Sequence, residues 1–237
     1  MSASRIDRAG AADLLYELAG ATVLFTDRSH GSFALPRDAG DALTREAGER
    51  VLGLTGAGRV ARGRQVHGSS VRRVASLEVL DGRHKDTDTD ADADGQATSL
   101  QGVVAMVVTA DCLPVAVAGE GAVAMLHCGW RGLADGVLEE GVAAVRELAA
   151  PGPLAAVIGP GAGACCYEVG PEVHEALGVQ RGGAHIDLAS LASTRLTAAG
   201  VQDVRVVETC TICDPRFYSH RREGTRAGRQ AGIAWLT

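Results

Sequence analysis

Aromatic side chains are scarce in this 237-residue chain: Phe, Tyr and Trp together supply 3% of it, against 46% hydrophobic residues overall. Ala, Val and Leu must build the core, so each aromatic side chain is a candidate for a specific task. Positive charge is in deficit as well. With 23 Lys and Arg against 29 Asp and Glu, a net charge of -6 and a pI near 5.6, there is no global cationic field to capture a phosphate backbone. Nucleic-acid polymers are excluded as expected partners, while local arginines can still take small anions. No apolar run reaches the roughly 18 residues of a membrane span, and the opening MSASRIDRAG has charges where a secretory signal needs an apolar core. No membrane partner and a cytoplasmic location are the expectations. Six cysteines are too dilute for a disulfide scaffold and in a reducing compartment are expected as thiols, whether free, buried or metal-bound. The seven histidines include no His-x-His pair, which makes a four-copper centre hard to build.

What is present alternates between sheet and helix. A helix is expected over 11–18 and a strand over 21–25, followed by a loop to about residue 40 and a helix over 41–54. A strand should then end near the QVHGSSV segment at 65–71. The run KDTDTDADADG (85–95) reads as a solvated loop, because an EF-hand counted from Asp86 would need Gly and Glu where Ala91 and Ala97 stand. Strands are expected over 103–109, 115–118 and 122–126. Leu133, Val137, Leu138, Val142, Val145 and Leu148 then line one face of a helix. A strand over 154–158, helices over 171–177 and 188–199, and strands over 204–208 and 231–236 complete the chain. With no linker and no repeat, 1–237 reads as one α+β domain with mixed β-sheets flanked by helices.

The central strands carry the chemistry. A two-residue connection at Gly119-Glu120 would set Cys112 directly opposite His127, with Cβ atoms about 5 Å apart on one face, the spacing of two ligands on a tetrahedral ion. Pro114 argues for an edge position or a bulge beside Cys112. A catalytic zinc site takes three protein ligands and leaves one position open. His67, in a strand-end turn beside Gly68, is the leading third ligand, with His30, His84 and His220 as competitors. Cys165-Cys166, adjacent in sequence, point to opposite faces if extended and are expected as buried small hydrophobes. Cys210 and Cys213 form a CxxC without a second CxxC to complete a zinc ribbon. Arg131 falls at a strand-to-helix junction suited to an anion. The segment 216–222 sets Phe217 and Tyr218 among basic residues, either to stack a base and bind phosphate or as a solvated basic loop.

The segments QVHGSSV, VVTADCLPV, LHCGWRG, CCYEVGPEV and FYSHRREGTRAGRQAGIAWL, in that order, resemble the YfiH-like, laccase-domain family. That resemblance covers almost the whole chain from Phe25. It implies a cysteine-hydrolase-like YfiH fold and the activities attributed to the family, purine nucleoside phosphorylase with adenosine deaminase. It further implies one Zn2+ held by His67, Cys112 and His127, with copper not expected. Inorganic phosphate and purine nucleosides are the implied partners. Arg28 matches an Arg of the family's N-terminal FTTR-like motif, and Asp94-Gly95 its ADG segment. Arg131, with Arg28 or Arg221 and with Tyr218, is expected at the phosphate and substrate; Asp111 or Asp94 is expected to move protons. The stretch SHGSFALPRDAGD and the Asp-rich run depart from the family's pattern, which bears on substrate preference. Two alternatives stay open: a metal-free hydrolase with Cys112 as nucleophile and His127 as its base, and a peptidoglycan-precursor editing factor, as some relatives are called.

Overall fold

The structure, a computed structural model, describes residues 14–34, 41–77, 92–180 and 183–237. Its strands are β1 (Leu15–Leu18), β2 (Ala21–Phe25), β3 (Arg59–Ala61), β4 (Val71–Val74), β5 (Gly95–Thr98), β6 (Val103–Thr109), β7 (Leu113–Gly119), β8 (Ala122–Cys128), β9 (Ala155–Ile158), β10 (Asp203–Val206) and β11 (Gln230–Leu236). The helices are α1 (Asp41–Thr55), α2 (Trp130–Ala134), α3 (Val137–Leu148), α4 (Pro171–Leu177), α5 (Leu188–Ala198) and α6 (His220–Glu223). They form two sheets, ordered β1-β2-β11-β6-β3 and β10-β9-β7-β8-β5-β4. Both are mixed: β3 runs parallel to β6, β4 to β5 and β10 to β9, and the other pairs are antiparallel. The α+β arrangement of mixed sheets flanked by helices is the one expected. No helix among the described residues is long and apolar enough to cross a membrane.

Period-two alternation sorts the central strands between two layers. In β8, Val123 and Met125 join Met106, Ile233 and Phe25 in the core between the sheets. Ala122, Ala124, Leu126 and Cys128 point the other way, onto Leu138, Val142 and Val145 of α3 and Leu196 of α5. Small side chains let these layers close up: a Cβ on Gly141 of α3 would sit 2.3 Å from Leu126. All three phenylalanines, Phe25, Phe33 and Phe217, are spent in the inter-sheet core. His127 shares the parity of Val123 and Met125, so it points between the sheets at the end of β8.

Four local expectations are corrected. Leu15–Leu18 is not the end of a helix but strand β1, paired antiparallel with β2 in register Leu15↔Leu24; the rest of the expected 11–18 helix, 11–13, lies outside the described residues, as do 85–91 of the Asp-rich run. The helix after HCGWRG is two helices, broken where Gly136 takes a left-handed φ of 90°. The hairpin turn is Glu120-Gly121, because the left-handed residue is Gly121 (φ 81°) and Gly119 pairs with Ala122 inside the ladder. His127 therefore faces Pro114, not Cys112. Nor does Pro114 mark an edge or bulge, since β7 lies between β8 and β9. Its carbonyl accepts from Gly159 just past the end of β9, so its missing N–H would point where that strand has already stopped.

Candidate metal centre

The register correction is by two residues, an even number, so Cys112 keeps the sheet face of His127 and lies diagonal to it. Cys112 sits just before β7, after Asp111, whose φ is 90°. That strained turn is held by its own carboxylate, which accepts from Thr211 Oγ1 at 2.7 Å and from the Arg221 backbone N–H at 2.8 Å. His67 arrives from the loop between β3 and β4. Its Gln65 neighbour imitates a strand, donating to the Val108 carbonyl and accepting from the Val108 N–H, both at 2.8 Å. The expected strand does not reach this loop: β3 ends at Ala61. The ligand atoms of His67, Cys112 and His127 lie within 4.8 Å of one another, and the two imidazoles meet edge-to-face with centroids 4.8 Å apart.

Asp94, fully buried, organises this convergence. One carboxylate oxygen accepts from the His67 N–H at 3.0 Å and faces His127 Nδ1 at 2.8 Å. The other accepts from the N–H groups of Val66 at 3.1 Å and Gly68 at 2.7 Å. This carboxylate thus anchors a loop in which His67 itself takes a φ of 64°, a conformation few side chains adopt. Burial pushes the Asp94 carboxyl up, but the His127 and backbone hydrogen bonds outweigh it and hold the group below its ordinary value. The adjacent backbone is close: a Cβ on Gly129 would meet Cys112 Sγ at 2.9 Å and His67 Cδ2 at 3.4 Å, and one on Gly132 would meet the Gly68 carbonyl at 2.8 Å. Gly129 is therefore required by the approach of Cys112, and Gly132 by that of the QVHG loop.

Electrostatics separate the two neighbouring thiols. Burial raises the Cys112 thiol, but the charge of His127 and hydrogen bonds from His127 and His67 bring it down to about 6. Burial lowers His127, yet Cys112 and Asp94 raise it to about 9. Cys128, wholly buried, is pushed well up by burial and stays an inert core thiol.

At the start of α2, three residues past His127, opens a cleft of about 470 Å³ lined by Trp130, Arg131, Glu168, Val169, Gly170, Glu172, Val173 and Arg221. Arg131 is exposed and lies over the Trp130 ring at 4.3 Å. Arg221 lies 5.1 Å from the centroid of Tyr167 and donates to the Glu168 carbonyl. Burial, then the nearby Cys112, pushes the Tyr167 hydroxyl up to about 12. Trp130 in the cleft wall and Tyr167, packed behind it on Arg221, are residues that sequence reasoning alone does not single out; their positions inside HCGWRG and CCYEVG are the available signal. Arg28 and Tyr218 do not line this cleft. The Arg28 guanidinium stacks on Tyr218 at 4.3 Å, pairs with Glu223 and donates to the Phe217 carbonyl, so these residues brace α6. Phe217, expected as a stacking platform, is buried. Among the competitors for the third ligand, His30 pairs with Asp27, His220 begins α6, and His84 lies outside the described residues.

Comparisons agree with this architecture. A protein named purine nucleoside phosphorylase from Xylella fastidiosa (strain Temecula1) is 43% identical over 190 residues, covering 73% of this chain and 70% of its own. A protein named adenosine deaminase RL5, from an unknown prokaryotic organism, is 38% identical over 154 residues, 56% of this chain and 58% of its own. The crystal structure of YlmD from Geobacillus stearothermophilus superposes with a TM-score of 0.77 at 26% identity, covering 98% of both chains. The family model described as multi-copper polyphenol oxidoreductase laccase matches residues 30–237. On that span, and with relatives and structural neighbours bearing the YfiH and YlmD names, the chain belongs to the laccase-domain, YfiH-like family.

Proposed function

We propose that this chain is a zinc-dependent enzyme of purine nucleosides, cleaving adenosine- and inosine-type nucleosides with inorganic phosphate to base and ribose 1-phosphate and also deaminating adenosine. The observation that carries the reading is the convergence of His67, Cys112 and His127, with a cleft walled by Trp130, Arg131 and Arg221 beginning three residues past His127. The names of the relatives support the substrate class.

The donor set fits zinc. Two imidazoles and one thiolate leave a fourth position open, and Asp94 on Nδ1 of His127 leaves Nε2 to face the ion. Bound there, zinc supplies Lewis acidity and brings water into the range where it ionises near neutral pH. The chain's own residues do the rest. Arg131 and Arg221 flank the cleft and hold phosphate, so that one of its oxygens is presented to ribose C1′ as the base leaves. Trp130, Val169 and Val173 offer apolar walls to the nucleoside. Proton transfer is expected of Asp111 or Asp94, but all four of their oxygens already accept hydrogen bonds from the protein. We assign both to positioning: Asp94 sets the two imidazoles, and Asp111 sets Cys112 and the Arg221 backbone. Arg28 and Tyr218 act at one remove, through α6.

Incubation with adenosine or inosine, with and without phosphate, tests the proposal. Phosphate-dependent release of base and ribose 1-phosphate is expected, together with inosine from adenosine. Arg131→Ala should raise KM for phosphate about tenfold or more, the loss of one charge-assisted contact. No turnover of any purine nucleoside would remove the reading. A metal-free hydrolase has one observation in its favour, the Cys112, His127 and Asp94 alignment with a thiol drawn down to about 6. In it His67 would serve only to hydrogen-bond the Cys112 thiolate. Stoichiometric zinc with Cys112 protected from alkylation excludes it; a metal-free protein with a readily alkylated Cys112 would favour it.

A further inference from the structure

The remaining four cysteines are not the scattered small hydrophobes that an extended Cys165-Cys166 pair would give. The sulfurs of Cys165, Cys166, Cys210 and Cys213 all lie within 4.8 Å of one another, with Cys213 at 3.0 Å from Cys166 and 3.5 Å from Cys165. The backbone explains how. Residues 163–167 turn back on themselves, with the N–H groups of Cys166 and Tyr167 both donating to the Gly163 carbonyl, so neighbouring side chains are not sent to opposite faces. The CxxC also turns, Asp214 N–H donating to the Cys210 carbonyl at 2.9 Å. A parallel bridge between Gly161 and Cys210 locks the two turns side by side. Gly163 is needed there, since a Cβ would meet Cys210 Cβ at 3.0 Å and two sulfurs at 3.4 Å.

We propose that these four thiols form a second, structural zinc site, closed by four protein ligands and separate from the His67, Cys112 and His127 centre. A tetrahedral Zn2+ with bonds of about 2.3 Å sets its sulfurs somewhat under 4 Å apart, the spacing this cluster approaches. Cys213 lies against two sulfurs at once, the pattern of a coordination polyhedron and not of a disulfide, in which each sulfur has one partner. Cys210 Sγ accepts the Gly163 N–H at 3.2 Å, and the N–H groups of Ile212 and Cys213 also point to it. Such donors stabilise a thiolate that already spends lone pairs on a metal. The balance is simple: one Zn2+ replaces four thiol protons, with no electron transferred. Arg222, ion-paired with Glu223, donates to the carbonyls of Thr211 and Ile212 and so braces the CxxC turn.

The consequence reaches the cleft. The 163–166 turn runs directly into Tyr167 and Glu168, while Thr211 of the CxxC donates to Asp111, which holds the backbone of Arg221. An ion at the cysteine cluster clamps together the two segments that carry the cleft's wall.

The test reads the two sites independently. Protein purified without chelators should contain two zinc ions per chain; His127→Ala should retain one, and Cys210→Ser in that background should retain none. Cobalt substituted into the His127→Ala protein should give the intense thiolate-to-metal charge-transfer absorption of a tetrahedral four-sulfur site, and X-ray absorption should count four sulfurs. Should the Cys210→Ser variant not fold, the cobalt spectrum of the His127→Ala protein decides alone. A spectrum without thiolate charge transfer, zinc content unchanged by the cysteine substitution, or two disulfides found by mass spectrometry of the freshly purified protein would overturn the proposal.

Discussion

Asp94 shows what one buried carboxylate can decide. Asp94→Asn keeps the shape but exchanges an acceptor oxygen for an NH2 donor, setting it against the two donors which that oxygen served in a buried site. A loss of at least about 2 kcal/mol of stability follows, measurable by urea denaturation with zinc content followed in parallel. The same group sets an acid limit. Its folded pKa lies below the ordinary 3.8, so its contribution is fully present above that value and is lost as pH falls through the lower, folded one. Wild-type stability should thus drop steeply below about pH 4, and the Asp94→Asn variant should show a shallower drop; equal slopes would refute the role. Cys112 and His127 were legible as a pair from residue type and adjacent antiparallel strands, although the register that set them directly opposite was two residues off. His67 was not separable from His30, His84 and His220 by spacing, because what selects it is a row of backbone N–H groups around Asp94, which no side-chain pattern records. The family motifs were needed to choose it.

At the scale of elements, the junction from β8 into α2 is the part most exposed to error and most open to test. Helix propensity alone says that Gly132→Ala in α2 should stabilise by up to about 1 kcal/mol. The fold says the reverse, since the new Cβ would stand 2.8 Å from the Gly68 carbonyl, a backbone atom with little freedom to retreat. Destabilisation of about 1–3 kcal/mol and weakened zinc retention are expected, measured by thermal unfolding and metal analysis; a stabilised, fully loaded variant would show that the QVHG loop does not pack on α2. Strand periodicity located β6 to β9 and β11 within a residue or two, because alternation and burial act together there. It failed at Leu15–Leu18, where tertiary pairing with β2 overrides a helix-compatible spacing. It also missed the β7–β8 turn by one residue, and with it the register by two, because Gly119 is kept small for packing: a Cβ would meet Leu154 at 2.7 Å. A glycine near a turn is not always the turn's glycine.

For the whole molecule, both metal proposals tie distant stretches of chain together. Residues 67, 112 and 127 meet at one end of the sheets, and 165–166 meet 210–213 behind them, joined through the Asp111–Thr211 hydrogen bond. Stripping metal with a strong chelator should therefore lower the melting temperature by roughly 10 °C, with recovery on adding zinc back, as expected for ligands present far above their Kd in a chain of this length. An unchanged melting curve for demonstrably metal-free protein would contradict it. The α+β class was legible because mixed strand and helix signals alternate along the chain. The pairing of the two cysteine turns was not, since it depends on β9 and β10 lying parallel and delivering 161 beside 210.

One side-chain arrangement carries a practical corollary. Asp94 grips the backbone of His67 and the ring of His127 from outside the donor set, whereas the Cys112 sulfur has its hydrogen bonds from those two imidazoles themselves. The imidazoles are thus a fixed socket and the thiolate is the exchangeable pin. Anyone wishing to retune this protein toward a harder ion has a single position to swap, Cys112→Asp, with the scaffold around it left as it stands.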